Sequence, residues 1–455
     1  MESKTNTNQV LLVICLSSVL VPFMSSALNL ALPEINKDLS INAVMSGWIQ
    51  ASYMLSTAIF QIPFAKIADL IGRRKIFIWG VVIFTIFSFL SCFAYSGITL
   101  VIYRFFSGVG SAMMFGTGMA ILTSSVKPEK RGQALGINVA TVYFSLASGP
   151  FFGGILTQYL GWHSIFLVAA IIGLLVIIGS LLMIKEEWKT EKTGEFDYIG
   201  SVLYALGLSG IIYGFSKLPH ILGFGLLIAG IIVLFLFVQY EKKKKQPILN
   251  VKVFFGNRIF KLSSLAALIN YASTFAISFM LSLYLQYVRE LSPRDAGLIL
   301  IVQSLVMAIV SLVSGRMSDK ISPASLATGG MSIILAGLIG LCFITEGSSL
   351  WLIISFLALL GFGFGIFSSP NTNIIMSSVE KEYYSLASAV SGTMRLTGQA
   401  FSMGIAMMAI SIQIGNAPLS HEIHTGLMNS MRVTFVICAV LCLLGIYASS
   451  VRSKK

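Results

Sequence analysis

Apolar runs of roughly 20 residues, separated by short polar turns, recur from one end of the chain to the other. A helix rises 1.5 Å per residue, so each run can cross the ~30 Å hydrocarbon layer of a bilayer. No water reaches backbone N–H and C=O groups there, which leaves helices and closed barrels as the spanning structures, and runs of this length select helices. Fourteen spans can be drawn, at about 10 to 32, 43 to 67, 76 to 95, 98 to 125, 134 to 160, 164 to 184, 199 to 216, 221 to 240, 260 to 285, 296 to 314, 324 to 344, 350 to 376, 386 to 411 and 430 to 450. Only 11% of residues are charged and 56% are apolar, against roughly 25% charged in an average soluble domain, so a water-soluble fold could not hide the apolar surface. The first span is longer than a secretory h-region and Leu32-Pro33-Glu34 follows it in place of an A-x-A site, so it is expected to stay in the mature protein.

Cytoplasmic loops retain Lys and Arg. With the N-terminus inside, the outer loops hold Lys37, Lys217, Arg289, Arg294 and Arg432, the spans hold Arg104 and Arg395, and every other basic residue is cytoplasmic. An even number of crossings brings the C-terminus back to the same side. The expectation is a multi-pass, monomeric protein of the cell (plasma) membrane with both termini cytoplasmic. The net charge of +13 then reads as membrane orientation, with no nucleic-acid partner, because Lys242 to Lys245 lie between spans beside an anionic lipid surface. Cys15, Cys92, Cys342, Cys438 and Cys442 all fall in apolar runs, without a disulfide framework or metal-ligand spacing. His163, His220, His421 and His424 lie at loop ends, and no Walker loop, H-E-x-x-H or G-x-S-x-G occurs. No enzyme activity, metal or cofactor is expected, and uphill movement of a solute would draw on an ion or substrate gradient.

The chain repeats itself. Gly108-Val109-Gly110 and Gly361-Phe362-Gly363 stand 253 positions apart, as do Ser124-Ser125-Val126 and Ser377-Ser378-Val379, and Ala134 and Ala387. Upstream, Ala65-x-x-x-Asp69 returns as Gly315-x-x-x-Asp319 at an offset of 250. Six spans therefore precede a two-span insert and six follow it: a first bundle over 1–184, a linker with two inserted helices over 185–258, and a second bundle over 259–455. Parallel halves of this kind place a binding site between them near the midplane.

Between spans 2 and 3, Ala65-Lys66-Ile67-Ala68-Asp69-Leu70-Ile71-Gly72-Arg73-Arg74-Lys75 resembles the loop signature G-x-L-a-D-r-x-G-r-R-r/k of the major facilitator superfamily, with Ala65 and Leu70 as departures. Arg104-x-x-Ser107-Gly108-x-Gly110 in span 4 is similar to the family's R-x-x-q-G-x-g. Ser145-x-x-x-Gly149-Pro150-x-x-Gly153-Gly154 in span 5 resembles G-x-x-x-G-P-x-x-G-G, which marks its antiporters. Phe196-Asp197-Tyr198-Ile199-Gly200, Pro370-Asn371-Thr372-Asn373 and Arg395-Leu396-Thr397-Gly398-Gln399 look like the fourteen-span drug:proton branch. The resemblance implies an all-α major facilitator fold of 6+2+6 transmembrane helices and proton-coupled efflux of small amphipathic molecules. It implies an inner gate at Asp69, Gly72, Arg73 and Arg74, with Asp319 as the second-half counterpart, and a helix-packing stripe at Ser145, Gly149, Pro150 and Gly153.

Arginine inside lipid costs about 2.5 to 3.5 kcal/mol on insertion scales, so Arg104 and Arg395 are expected to face the bundle interior or a wet cavity. The uncharged candidates to line that cavity are Asn29, Asn138, Tyr143, Asn270, Tyr271, Gln303, Asn371, Asn373 and Gln399. None of the 18 acidic residues falls inside a span, and Met24 occupies the place where many fourteen-span relatives carry an acid. A mid-membrane carboxylate is the usual proton carrier and counter-charge for cationic drugs. Neutral, zwitterionic or anionic substrates are therefore expected, with protons coupled, if at all, through Asp69 or Asp319. A uniporter, an anion or metabolite exchanger, or a non-transporting sensor on the same fold remains open at this level.

Overall fold

The computed structural model describes residues 7–126, 131–189, 196–244, 247–249, 251–318, 320–380, 384–415 and 424–451. Among them there are helices and no strands. The first half holds α1 (Thr7–Asp38), α2 (Ala43–Ile71), α3 (Arg73–Ser91), α4 (Gly97–Ser125), α5 (Arg131–Leu160) and α6 (His163–Met183). A hairpin of α7 (Tyr198–Ser216) and α8 (Ile221–Glu241) and the short α9 (Val251–Gly256) follow. The second half holds α10 (Arg258–Leu283), which continues as a π-turn over Tyr284–Val288, then α11 (Pro293–Met317), α12 (Pro323–Cys342), α13 (Leu350–Ser377), α14 (Tyr384–Gln413) and α15 (His424–Val451).

Helix starts follow local chemistry. The side chains of Asn42, Ser96, Asp197, Asn257 and Ser292 each accept a backbone N–H three residues on, and Pro293 occupies the first turn of α11. Outward faces are apolar, with Leu174, Leu175 and Ile178 on α6 and Ile228, Ile231 and Phe235 on α8 exposed, as lipid-facing helices require. Thirteen helices among the described residues are long and apolar enough to cross a membrane, one fewer than the apolar runs suggest. The difference is α14, where Ser, Thr, Gly, Gln and Arg395 dilute the apolar character of a 30-residue helix enclosed by α2, α7, α10 and α15.

The sequence repeat reappears as packing. Gly80 on α3 and Gly110 on α4 cross so closely that a Cβ on Gly110 would stand 2.6 Å from the Gly80 carbonyl; Gly330 on α12 and Gly363 on α13 do the same at 2.7 Å. Gly108 lies against the Tyr53 carbonyl of α2 and Gly361 against the Gln303 carbonyl of α11. The halves meet where α5 packs on α11, α2 on α14 and α1 on α10. The α7–α8 hairpin lies beside that seam: Tyr204 donates to the Ala58 carbonyl at 3.2 Å, and Phe215 meets Phe401 with ring centroids 5.5 Å apart.

Candidate functional site: a cavity between the halves

A cavity of about 90 Å³ lies on the seam. Its wall takes Ser25, Ser26, Asn29 and Leu30 from α1, Leu146 and Pro150 from α5, and Tyr271, Thr274, Phe275 and Ser278 from α10. Leu300, Gln303, Ser304 and Met307 of α11, Phe364 of α13 and Gln399 of α14 complete it. Of the residues expected to line a cavity, Asn29, Tyr271, Gln303 and Gln399 do so. Among the described residues the wall carries no charged side chain. Gln50 holds Asn29 in place by donating to its Oδ1 at 2.9 Å and to the Ser25 carbonyl at 2.8 Å. Gln303 Oε1 is buried without a hydrogen-bond partner among the described residues. Tyr271 and Phe364 pack as an edge-on pair with centroids 5.4 Å apart. Pro150 has no N–H for the Leu146 carbonyl, which frees an acceptor in the same wall. Gln50, Phe275 and Phe364 escaped sequence reasoning; the i, i+4 recurrence of polar Ser25 with Asn29 and of Thr274 with Ser278 was the available signal.

One turn toward the Gly72 face, Arg395 is half-buried and forms no ion pair among the described residues. Its guanidinium lies 5.4 Å from the centroid of Phe115 and within electrostatic range of Tyr53 and Tyr143. The Tyr143 and Ser368 hydroxyls lie 2.9 Å apart and link α5 to α13 across the seam. Arg104 is elsewhere. It is fully buried between α4 and α2, its guanidinium 4.1 Å over the Tyr53 ring and its Nε donating to the Ile49 carbonyl at 3.3 Å. Both terminal nitrogens of Arg104 lack a hydrogen-bond partner among the described residues.

The other amides sit inside one half or the other. Asn138 donates to Ser18 Oγ at 2.8 Å, Asn371 to the Ser263 carbonyl at 3.2 Å and Asn373 to Ser318 Oγ at 3.3 Å. Asn270 is fully buried on α10, and neither side-chain polar atom is hydrogen-bonded to a described residue.

The Gly72 turn keeps its charges within the first half. Gly72 takes φ 135°, which separates α2 from α3. Arg73 pairs with Asp69 at 2.8 Å and reaches Ser124 Oγ at 3.2 Å. The segment after α6 straps back over the turn: Glu187 Oε1 accepts the Arg74 N–H at 2.8 Å, the Trp188 carbonyl accepts the Arg73 N–H at 3.0 Å, and the Arg74 side chain donates to the Ile184 carbonyl. Glu187 and Trp188 carried no sequence signal. Asp319 lies outside the described residues.

The small-residue stripe of α5 packs two ways. Ser145 donates to the Val19 carbonyl at 2.7 Å, and a Cβ on Gly153 would stand 2.6 Å from Ala27 Cα, so this face lies on α1. The Pro150 carbonyl and Gly154 face Gly297 and Pro293 of α11. Away from the Gly72 face, polar side chains close the seam. Pro33 cannot donate to the Asn29 carbonyl, and Ser282 Oγ of the second half does so at 2.6 Å. Gln286 and Tyr287 reach the Leu30 and Pro33 carbonyls, each at 3.2 Å.

Duplicated helical halves around a cavity on their seam, closed at one end by bonds that cross it, define a solute transporter. The Major Facilitator Superfamily profile matches residues 14–403, and the chain belongs to that family. It is 30% identical over 400 residues to the riboflavin transporter RibZ of Clostridioides difficile, covering 88% of this chain and 87% of that one. It is 28% identical over 386 residues to the multidrug resistance protein Stp of Mycobacterium tuberculosis, covering 83% and 71%. Among solved structures it is similar to a bacterial homologue of the human lysosomal transporter Spinster, crystallised inward-facing and unoccupied, with a TM-score of 0.73, 18% identity and coverage of 99% and 98%.

Proposed function

We propose that the chain is a secondary active transporter of the fourteen-span branch. It exports small, amphipathic, neutral or anionic compounds from the cytoplasm across the plasma membrane by alternating access, as a monomer with both termini cytoplasmic. One observation carries the reading: among the described residues the seam cavity offers carboxamides, hydroxyls and aromatic faces but no carboxylate, and one turn from Gln399 stands the cation Arg395, which is in no ion pair with a described residue. A dication would leave water without a counter-charge, at a cost of several kcal/mol, whereas an uncharged ring system can use Asn29, Gln303 and Gln399. At about 90 Å³ the cavity is smaller than the ~300 Å³ and upward of ordinary ligand sites, so substrate enters only as the halves rock apart.

The multidrug relative from Mycobacterium tuberculosis supports efflux, and the riboflavin transporter supports an uncharged, planar cargo. Arg104, Asn138, Tyr143, Asn270, Asn371 and Asn373 extend the site as the halves move, and Asp69, Gly72, Arg73, Arg74 and Asp319 form the gate. Proton antiport is the driving reaction in this reading. A second reading, exchange or uniport without protons, is favoured by the carboxylate-free wall. Everted vesicles test both: riboflavin and an anionic dye should accumulate and discharge a pH gradient, and a dicationic dye should not. Faster movement of the dication would overturn the substrate class, and solute flux that leaves the pH gradient intact would select the second reading.

A further inference from the structure

Asp197 and Glu241 are the two acids buried among the described residues, 4% and 2% exposed, and they lie together where α7 begins and α8 ends. Asp197 Oδ1 accepts the Gly200 N–H at 3.0 Å and the Tyr240 hydroxyl at 3.2 Å, with Lys244 Nζ at 3.8 Å. Glu241 Oε2 accepts the Leu249 N–H at 3.1 Å and also faces the Ile248 N–H, so it ties the linker toward α10 onto the hairpin. The other two oxygens, Asp197 Oδ2 and Glu241 Oε1, are buried and have no donor among the described residues. They face each other, because a Cβ placed on Gly200 would run into both.

Two ionised carboxylates do not share a buried site, since like charges a few ångströms apart raise the affinity of one of them for a proton. Nor are two buried acceptors left without donors when one proton would serve both. One O–H between them makes a short, charge-assisted bond and leaves a single negative charge, which Lys244 balances from the Asp197 side. Among the described residues, Lys244, Tyr240 and the acids themselves are the titratable groups shown in contact with the pair; Gly200 and Ser201 of α7 and Ile248 and Leu249 of the linker contribute uncharged groups. A metal ion does not suit the site, since calcium takes six to eight oxygens and an ammonium already stands 3.8 Å from Asp197.

We propose that Asp197 and Glu241 bind one proton between them, away from the substrate cavity, and that this proton keeps the linker at 247–249 docked on the base of the α7–α8 hairpin. Release of the proton sets two negative charges against each other. Lys244 holds Asp197, so Glu241 moves away and gives up Leu249. The hairpin thereby reads the pH on the Gly72 face and passes it to the chain leading into α10.

The test uses the full-length protein in lipid nanodiscs. Infrared difference spectra taken between about pH 5 and pH 9 should contain one carboxylic C=O band that disappears as pH rises. In Asp197→Asn and in Glu241→Gln the new amide supplies the donor, so the remaining acid is ionised throughout and the band is lost while the fold is kept. Amide hydrogen exchange, corrected for its intrinsic pH dependence, should deprotect Ile248 and Leu249 at least tenfold above the transition in the native chain and show no transition in Glu241→Gln. A native chain without the titrating band, or a band that survives in either variant, overturns the proposal. So does a linker whose protection follows pH equally in the native chain and in Glu241→Gln.

Discussion

The two halves carry the same glycine scaffold and different chemistry on it. Gly80 and Gly110 meet as Gly330 and Gly363 do, and Gly108 and Gly361 each abut the helix that lies second in its half. At the same register, however, Arg104 is answered by Leu357, Arg395 by Val142 and Tyr53 by Gln303. Each arginine therefore belongs to one half only. Duplication builds the frame, and the departures from it build the site, so substitutions at matched positions should separate the two.

The scaffold predicts the largest effect. Leucine at Gly110 or at Gly363 would drive side-chain atoms into the backbone of the neighbouring helix, where overpacking costs about 1–3 kcal/mol or more. Both variants should lose most of their monodisperse yield in fluorescence-detected gel filtration, and to a similar degree. If one half tolerates leucine, the halves do not share a packing rule.

Gly72 comes next, because the matched position of the second half, Ser322, takes an ordinary φ of -48° and does not repeat its turn. At φ 135° any side chain is strained, and a Cβ would sit 2.6 Å from the Glu187 carboxyl. Gly72→Val should cost about 1–3 kcal/mol locally and, since a turn and not a core is disturbed, slow transport roughly tenfold or more with the yield retained. Normal vesicle flux in this variant would remove the turn from the gate.

The frame was legible because lipid makes strong demands on sequence. Spans must be apolar, loops must carry the charge, and a 253-residue register survives as paired glycines. The site was legible only in part, because a polar residue in a span serves a cavity or a helix contact equally well, and the helix face decides which. Asn29, Gln303 and Gln399 face the cavity, while Asn138, Asn371 and Asn373 are satisfied within their own half. Glu187 and the Asp197–Glu241 pair lay in what reads as polar linker, where nothing in one sequence distinguishes a solvated acid from one folded back against the helices. The run at 386 to 411 is the helix α14, although its hydropathy is too low to mark a crossing by itself, since a helix enclosed by protein needs less apolar surface than one bathed in lipid.

The arginines are expected to respond in opposite ways. Arg104→Leu copies the residue that the second half carries and removes a buried cation with two unpartnered nitrogens. Replacing buried ionic groups by apolar ones is often neutral or stabilising by about 1–4 kcal/mol, so the melting temperature should rise. Arg395→Leu should leave melting nearly unchanged and raise KM for an anionic dye about tenfold, or 1.4 kcal/mol, a fraction of the ~4 kcal/mol Coulomb energy of a pair 4 Å apart near a surface. Riboflavin, being uncharged, should be moved by Arg395→Leu as by the native chain. An equal loss for both compounds would mean that Arg395 positions helices and does not read charge.

Asp69→Asn should have the smallest effect on stability. Asp69 and Arg73 are one helical turn apart and part-exposed, at 35% and 20%, and such pairs contribute only about 0.3–0.5 kcal/mol. Asparagine can still accept from the Arg73 side chain, so the turn should keep its shape and the melting temperature should not move. What asparagine removes is the charge, which is the property a brace against the second half would use as the halves rock together on this face. Flux should therefore fall severalfold at constant stability. If flux and melting are both unchanged, Asp69 serves its own turn alone, and the gate on the Gly72 face rests on the backbone of that turn and the strap from Ile184 to Trp188.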